Sequence, residues 1–141
     1  MKEENDRDIV RVIGDFLELG HVENIVAMFK QDTRLYGLAA ELLRDERYAV
    51  RLGLAVLFEE LAGLRPGEVS LAIPSLLPLL EEDNPILRGE AATILDIIGS
   101  RAVLAHLLKL ENDPDPQVRE IIADIIHNSG TSALSGYEEH S

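Results

Sequence analysis

The chain has 141 residues, 46% of them hydrophobic, enough for a single domain with a sizeable core and too apolar for a disordered polymer. It has no cysteine, which excludes disulfides and thiolate metal sites and is compatible with a reducing compartment. With 26 acids against 13 bases the net charge is −13, a field that disfavours DNA and RNA as partners.

Aromatic residues are only 4%, while Leu, Ile, Val and Ala abound, a mix that favours packed helices over a β-sandwich. The N-terminus, Met1 to Asp6, has no apolar run after its lysine and reads as no signal peptide. The longest uncharged stretch, Val69 to Leu80, is 12 residues long and holds Pro74 and Pro78, too short and too broken to span a bilayer. The expectation is a soluble, cytoplasmic protein with no membrane contact.

Taken in chain order, helices are predicted at about 8–19, 21–31, 33–44, 47–62, 70–81, 85–98, 101–111 and 116–128. The first is one-sided, with Ile9, Val12, Ile13 and Phe16 on one arc and Arg11, Asp15 and Glu18 on the other. Helix 47–62 is apolar almost all round (Val50, Leu52, Leu54, Val56, Leu57, Phe58, Leu61), so it is expected to be covered on several sides. Helix 70–81 follows the Gly63–Glu68 turn, with Ser70 as its cap. Pro74 is tolerated near its start, and Pro78 kinks it by removing a backbone donor. Asn84-Pro85 and Asp115-Pro116 each supply an N-cap side chain followed by proline at the first helical position, where the missing N–H had no acceptor anyway. Gly63, Gly99 and Gly130 stand where helices should stop. The last helix sets Val118, Ile121, Ile122, Ile125 and Ile126 against Gln117, Glu120, Asp124 and His127. Residues 129–141 form a polar tail, expected to be mobile.

The elements repeat. An offset of 31 carries Glu82, Pro85, Leu87, Arg88 and Gly99 onto Asp113, Pro116, Val118, Arg119 and Gly130. An offset of 37 carries Leu42, Asp45, Val50, Arg51 and Leu57 onto Leu79, Glu82, Leu87, Arg88 and Ile94, the extra residues falling in the Gly63–Glu68 turn. Three such copies imply stacked helix pairs at about 33–62, 70–98 and 101–128, preceded by a divergent or capping pair at about 8–31. Buried helices in the middle and amphipathic ones at the ends describe a capped stack over residues 1–128.

Two sets of residues recur with the repeat. Arg51, Arg88 and Arg119 each lie six residues after an acid, Asp45, Glu82 and Asp113. They read first as a structural ladder of ion pairs and carbonyl hydrogen bonds, and alternatively as a row that grips a partner's carboxylates. The turns between paired helices carry Asp45, Glu46, Glu81, Glu82, Asp83, Glu111, Asp113 and Asp115. These acids suit helix N-termini, and as a rim they could also recruit a basic segment of a partner.

Catalytic chemistry finds no constellation. The four histidines, His21, His106, His127 and His140, lack ligand spacing. There is no nucleophile motif, and the Gly63–Gly67 turn lacks the lysine and hydroxyl of a phosphate loop. Adjacent carboxylates such as Glu59-Glu60 point apart on a helix. Neither a catalytic, a cofactor nor a metal site is expected.

The runs Leu76-Leu77-Pro78-Leu79-Leu80, Asn84-Pro85-Ile86-Leu87-Arg88, Ile94 to Gly99 and Asp113 to Glu120 resemble the HEAT repeat, in the short form also found in phycobilisome lyases. The resemblance covers about residues 33–130. It implies an all-α, right-handed α-solenoid of about four antiparallel helix pairs. It also implies a non-catalytic scaffold or adaptor whose groove or acidic rim holds another protein. A lyase-like maturation factor working with a partner subunit and a structural oligomer subunit are the alternatives.

Overall fold

The computed structural model describes the backbone of residues 2–139 and the side chains of residues 5–128. Among the described residues there are eight α-helices: α1 (Lys2–Glu18), α2 (Val22–Gln31), α3 (Ala39–Leu43), α4 (Tyr48–Leu64), α5 (Ile73–Leu76), α6 (Pro85–Ile98), α7 (Arg101–Leu108) and α8 (Pro116–Glu139). Three 3-10 segments complete the helical elements: Thr33–Leu38 before α3, and Val69–Ala72 and Leu77–Glu81 on either side of α5.

The helices form two layers. In one, α1 packs on α4, α4 on α6 and α6 on α8. In the other lie α2, the Thr33–Leu43 stretch, the Val69–Glu81 stretch and α7, each connected to its neighbour across the layers. The last three pairs start in the second layer and return through the first. The first pair runs the other way, because α1 already lies beside α4 and α2 crosses to the second layer. The arginine of each later pair follows the turn from the second layer into the first, and the first pair, running from the first layer to the second, contains no such turn.

Local chemistry accounts for the boundaries. Asn84 accepts the backbone N–H of Ile86 and Asp115 that of Val118, so both expected caps form. Gly99 ends α6 at φ 77°, a left-handed conformation, and donates its N–H to Leu95 O at 3.1 Å. Gly63 does not end its helix: α4 continues to Leu64, because a glycine stops a helix only where the following chain is pulled elsewhere. Helical backbone likewise passes Gly130 to Glu139, beyond the predicted end at 128. The expected mobility of residues 129–141 lies outside the described side chains.

The stretches predicted as helices 33–44 and 70–81 are composites of 3-10 and α turns. Asp32 accepts from Arg34 N and tightens the first turn of one. In the other, Pro78 has no N–H to offer an i−4 carbonyl, and the chain winds as 3-10 from Leu77 onward. Ser70 is not a cap; it lies inside the Val69–Ala72 turn.

The core runs continuously between the layers, from Ile13 and Leu17 on α1 to Val118, Ile122 and Ile125 on α8. It includes an aromatic cluster in which Phe29, Tyr36 and Phe58 meet edge to face, with centroids 5.0 to 6.4 Å apart. Where first-layer helices approach most closely, glycine makes room. A Cβ on Gly53 would lie 3.1 Å from Leu17 Cβ and 3.2 Å from Leu17 O, whereas one on Gly63 would meet nothing within 4 Å. Gly53→Ala is therefore expected to destabilise by about 1–2 kcal/mol, since a backbone oxygen cannot yield. Gly63→Ala is expected to stabilise by about 0.5 kcal/mol through the lost freedom of the unfolded chain. Paired urea titrations would show opposite midpoint shifts, and shifts of the same sign would contradict this packing.

Candidate functional site

The recurring arginines take up one arrangement three times. Nη1 of Arg51 donates to Asp45 O and Glu46 O, Nη1 of Arg88 to Glu82 O and Asp83 O, and Nη1 of Arg119 to Asp113 O and Pro114 O, at 2.7 to 3.2 Å. Each guanidinium thus closes the turn of its own pair by satisfying carbonyls that the preceding helix leaves open. Two of the three also reach the next pair. Nε of Arg51 donates to Glu90 at 3.0 Å, and Nε and Nη2 of Arg88 form a two-pronged bond with Asp113 at 2.9 and 2.8 Å. The Arg88 and Asp113 side chains are only 12% and 3% exposed, so this rung is shielded from solvent. The carboxyl of Asp113 is held below the usual aspartate range, chiefly by its bonds from Arg88.

A fourth arginine was not singled out from the sequence. Arg47 stands at the cap position occupied by Asn84 and Asp115 in the later pairs. It binds the Asp45 carboxylate at 2.9 and 3.0 Å and reaches Asp15 and Glu18 on α1 at 2.9 and 3.1 Å. Its guanidinium is held in the charged form more firmly than usual, first by Asp45 and then by Asp15. Arg47 thus ties the reversed first pair to the regular stack. The repeat alignment hides it, because it is the one cap position where the copies disagree.

The acidic turns divide. Asp113 departs from the expected rim, since it is buried against Arg88. Asp45 is held by Arg47, Glu82 pairs with Arg44, and Asp115 is half-buried as a cap. Glu46, Glu81, Asp83 and Glu111 are exposed. The carboxylates that hold arginines or caps are the ones lying over the stacked core, and the exposed four are those the turns direct outward.

The first layer also presents an apolar surface. Helix α4 is not covered all round: Tyr48, Leu52 and Val56, on successive turns, are 64%, 51% and 39% exposed, and Ile86 on α6 is 53% exposed. The coverage on several sides expected from its composition is met by α1, α2, α3 and α6, and one side is left to solvent. Between α4 and α6 this surface sinks into a cleft of about 180 Å3 lined by Leu52, Ala55, Thr93 and Ile94, with Tyr48, Arg51 and Glu90 at its end. The same Tyr48, Arg51 and Glu90 border a second cleft of about 470 Å3 that continues along Ile86, Gly89, Val118 and Ile121 to Asp115 and Gln117. The two clefts form one trough across α4, α6 and α8. Tyr48 is fixed there by the Arg51 guanidinium, 5.7 Å above its ring centroid.

Other chemistry is sparse. Among the described residues no group of three or more His, Asp or Glu is placed to hold a metal ion, and no helix is long and apolar enough to cross a membrane. His21 stands before α2 and contacts the Phe16 ring edge-on at 6.0 Å.

Two layers of paired helices joined by a repeated arginine rung define an α-helical repeat protein. The family model described as HEAT repeats matches residues 35–126, most of the chain, and this protein belongs to the HEAT-repeat family. The match begins after the first pair, in agreement with that pair's reversed order. No characterised protein and no solved structure matches the chain significantly. HEAT repeats are generally non-catalytic scaffolds for protein interaction.

Proposed function

We propose that this protein is a non-catalytic adaptor that binds a basic, amphipathic segment of another protein along the α4–α6–α8 trough. The observation that carries this reading is the exposed apolar stripe of Tyr48, Leu52, Val56 and Ile86, which opens into the trough and has no structural use. Apolar anchors of a partner segment would fill the cleft beside Leu52 and Ala55. Charge supports the basic character of the segment. Glu46 stands just before Tyr48 and Glu59 and Glu60 just beyond Val56, all exposed, and Asp115 borders the far end of the trough. A net charge of −13 steers cationic partners toward the whole molecule.

A displayed library of random peptides, selected on the intact chain, tests the proposal. Enriched peptides are expected to combine Lys or Arg with apolar residues at helical spacing, and to lose affinity as salt rises. The Leu52→Asp, Val56→Asp double variant is expected to lose at least tenfold in affinity for them while melting within a few degrees of the parent, because both positions are exposed. Selected peptides that are acidic, or that bind the double variant as well as the parent, would refute the trough.

A further inference from the structure

The two clefts of the trough share three residues, Tyr48, Arg51 and Glu90. A segment that fills both clefts crosses this waist. Beyond it lie Leu52, Ala55 and Ile94 on one side and Ile86, Val118 and Ile121 on the other, so the crossing is a charged point between apolar walls.

The two rungs between neighbouring pairs differ in how far their acid is satisfied. Asp113 accepts from Nε and Nη2 of Arg88 and from the backbone N–H of Asp115, and its side chain is 3% exposed. Glu90 accepts from Arg51 Nε alone, at 3.0 Å through Oε1. Its Oε2 lies 2.8 Å from the same nitrogen but makes no hydrogen bond. Among the described residues Glu90 thus takes one donor where Asp113 takes three. An ionised carboxylate offers about four lone-pair sites, so Glu90 keeps accepting capacity, and its side chain is open to the trough at 27% exposed. Arg51 is the more buried partner, with Nη1 committed to Asp45 O and Glu46 O. Around the waist the trough holds two acids, Glu90 and Asp115, against one base, Arg51, which favours a charged donor over a neutral one.

We propose that Glu90 receives one Lys or Arg side chain of the partner segment, with the exposed Tyr48 ring as the wall beside it. This deepens the adaptor reading and rests on it. The trough then reads an order and not merely a composition: an apolar anchor, a cation, and a second apolar anchor. An acidic rim attracts any basic chain, whereas a carboxylate held by Arg51 between two apolar clefts rejects a segment whose cation stands elsewhere.

The test runs the displayed peptide library in parallel on the intact chain, on Glu90→Gln, on Glu90→Asp and on the Leu52→Asp, Val56→Asp double variant. Glu23→Gln, exposed on α2 in the other layer, controls for net charge. Glutamine keeps an oxygen for Arg51 Nε and removes only the charge. Peptides selected on the parent are expected to fix one Lys or Arg between two apolar positions. Replacing that residue by norleucine should weaken binding about tenfold on the parent and on Glu23→Gln, and less than about threefold on Glu90→Gln. Glu90→Asp, which keeps the charge, should retain most of the effect, as a merely structural role of Glu90 would not require. Peptides that need Leu52 and Val56 but fix no cation, or whose norleucine loss is the same on Glu90→Gln, overturn the role of Glu90 and leave the trough standing. Peptides that bind the double variant as well as the parent overturn the trough and this role together. A norleucine loss below about threefold on the parent overturns the proposal without any variant.

Discussion

Phe58→Ala is expected to lower stability by about 3–5 kcal/mol, a large fraction of what a domain of this size has. The ring is wholly buried and lies edge to face with Phe29 at 6.4 Å and Tyr36 at 6.1 Å. It joins α4 to α2 and to the Thr33–Leu38 turn, which belong to successive pairs of the second layer. Removing it leaves a cavity that neighbours on three elements would have to move together to fill. The urea midpoint should fall by roughly 2 M with little change in slope, since the surface exposed on unfolding stays the same. Phe58→Leu should recover more than half of the loss. A slope that falls along with the midpoint would mean that α1 and α2 detach separately, and that the reversed pair is an independent unit.

Asp113→Ala is expected to cost on the order of 3 kcal/mol, through a different cause. The carboxylate is not valuable because ion pairs are strong; exposed pairs contribute little. It is valuable because Arg88 is held in place by Glu82 O and Asp83 O, cannot swing out without opening that turn, and would be left with an uncompensated charge. The melting temperature should fall by about 10 °C. Asp15→Ala, which removes one of three acids around the more exposed Arg47, should have far less effect. Equal losses at the two sites would show that shielding of the Arg88 rung does not matter.

The same rung predicts a pH dependence. The folded state lowers the Asp113 and Asp45 carboxyls below the ordinary value of 3.8, each chiefly through bonds from its arginine. Lowered values mean that the folded state prefers the charged form. Their stabilisation is therefore fully present above 3.8 and is lost as pH falls through the lowered values. Moderate acidification from neutrality should have the opposite sign, since it relieves the repulsion of a chain carrying −13. Stability should pass through a maximum in mildly acidic solution and then drop below 3.8, and the drop should be shallower in Asp113→Asn.

Much of this protein is legible in its sequence because much of it is closed locally. Asn84-Pro85 and Asp115-Pro116 start α6 and α8 with bonds to residues two or three positions away. Gly99 ends α6 by its own backbone geometry. The arginine rungs bond carbonyls five and six residues upstream, so the spacing of Asp45 to Arg51, Glu82 to Arg88 and Asp113 to Arg119 already contains them. Period, caps and rungs together determined a HEAT-type stack, in which each pair cannot bury its apolar face alone.

What only the tertiary structure decided depends on contacts between residues far apart in the chain. Arg47 reaches Asp15 and Glu18 across 32 and 29 residues, and nothing near it announces that reach. Whether Leu52 and Val56 are core or surface depends on how many sides of α4 the neighbouring helices cover, which its apolar composition does not state. The acids looked alike in the turns, yet the stacking of one pair on the next buried Asp113 and left Glu111 outside. The direction of the first pair was likewise settled by α1 finding the open side of α4, with Gly53 permitting the close approach to Leu17. Local hydrogen bonding is written residue by residue, whereas burial is a property of how the layers meet.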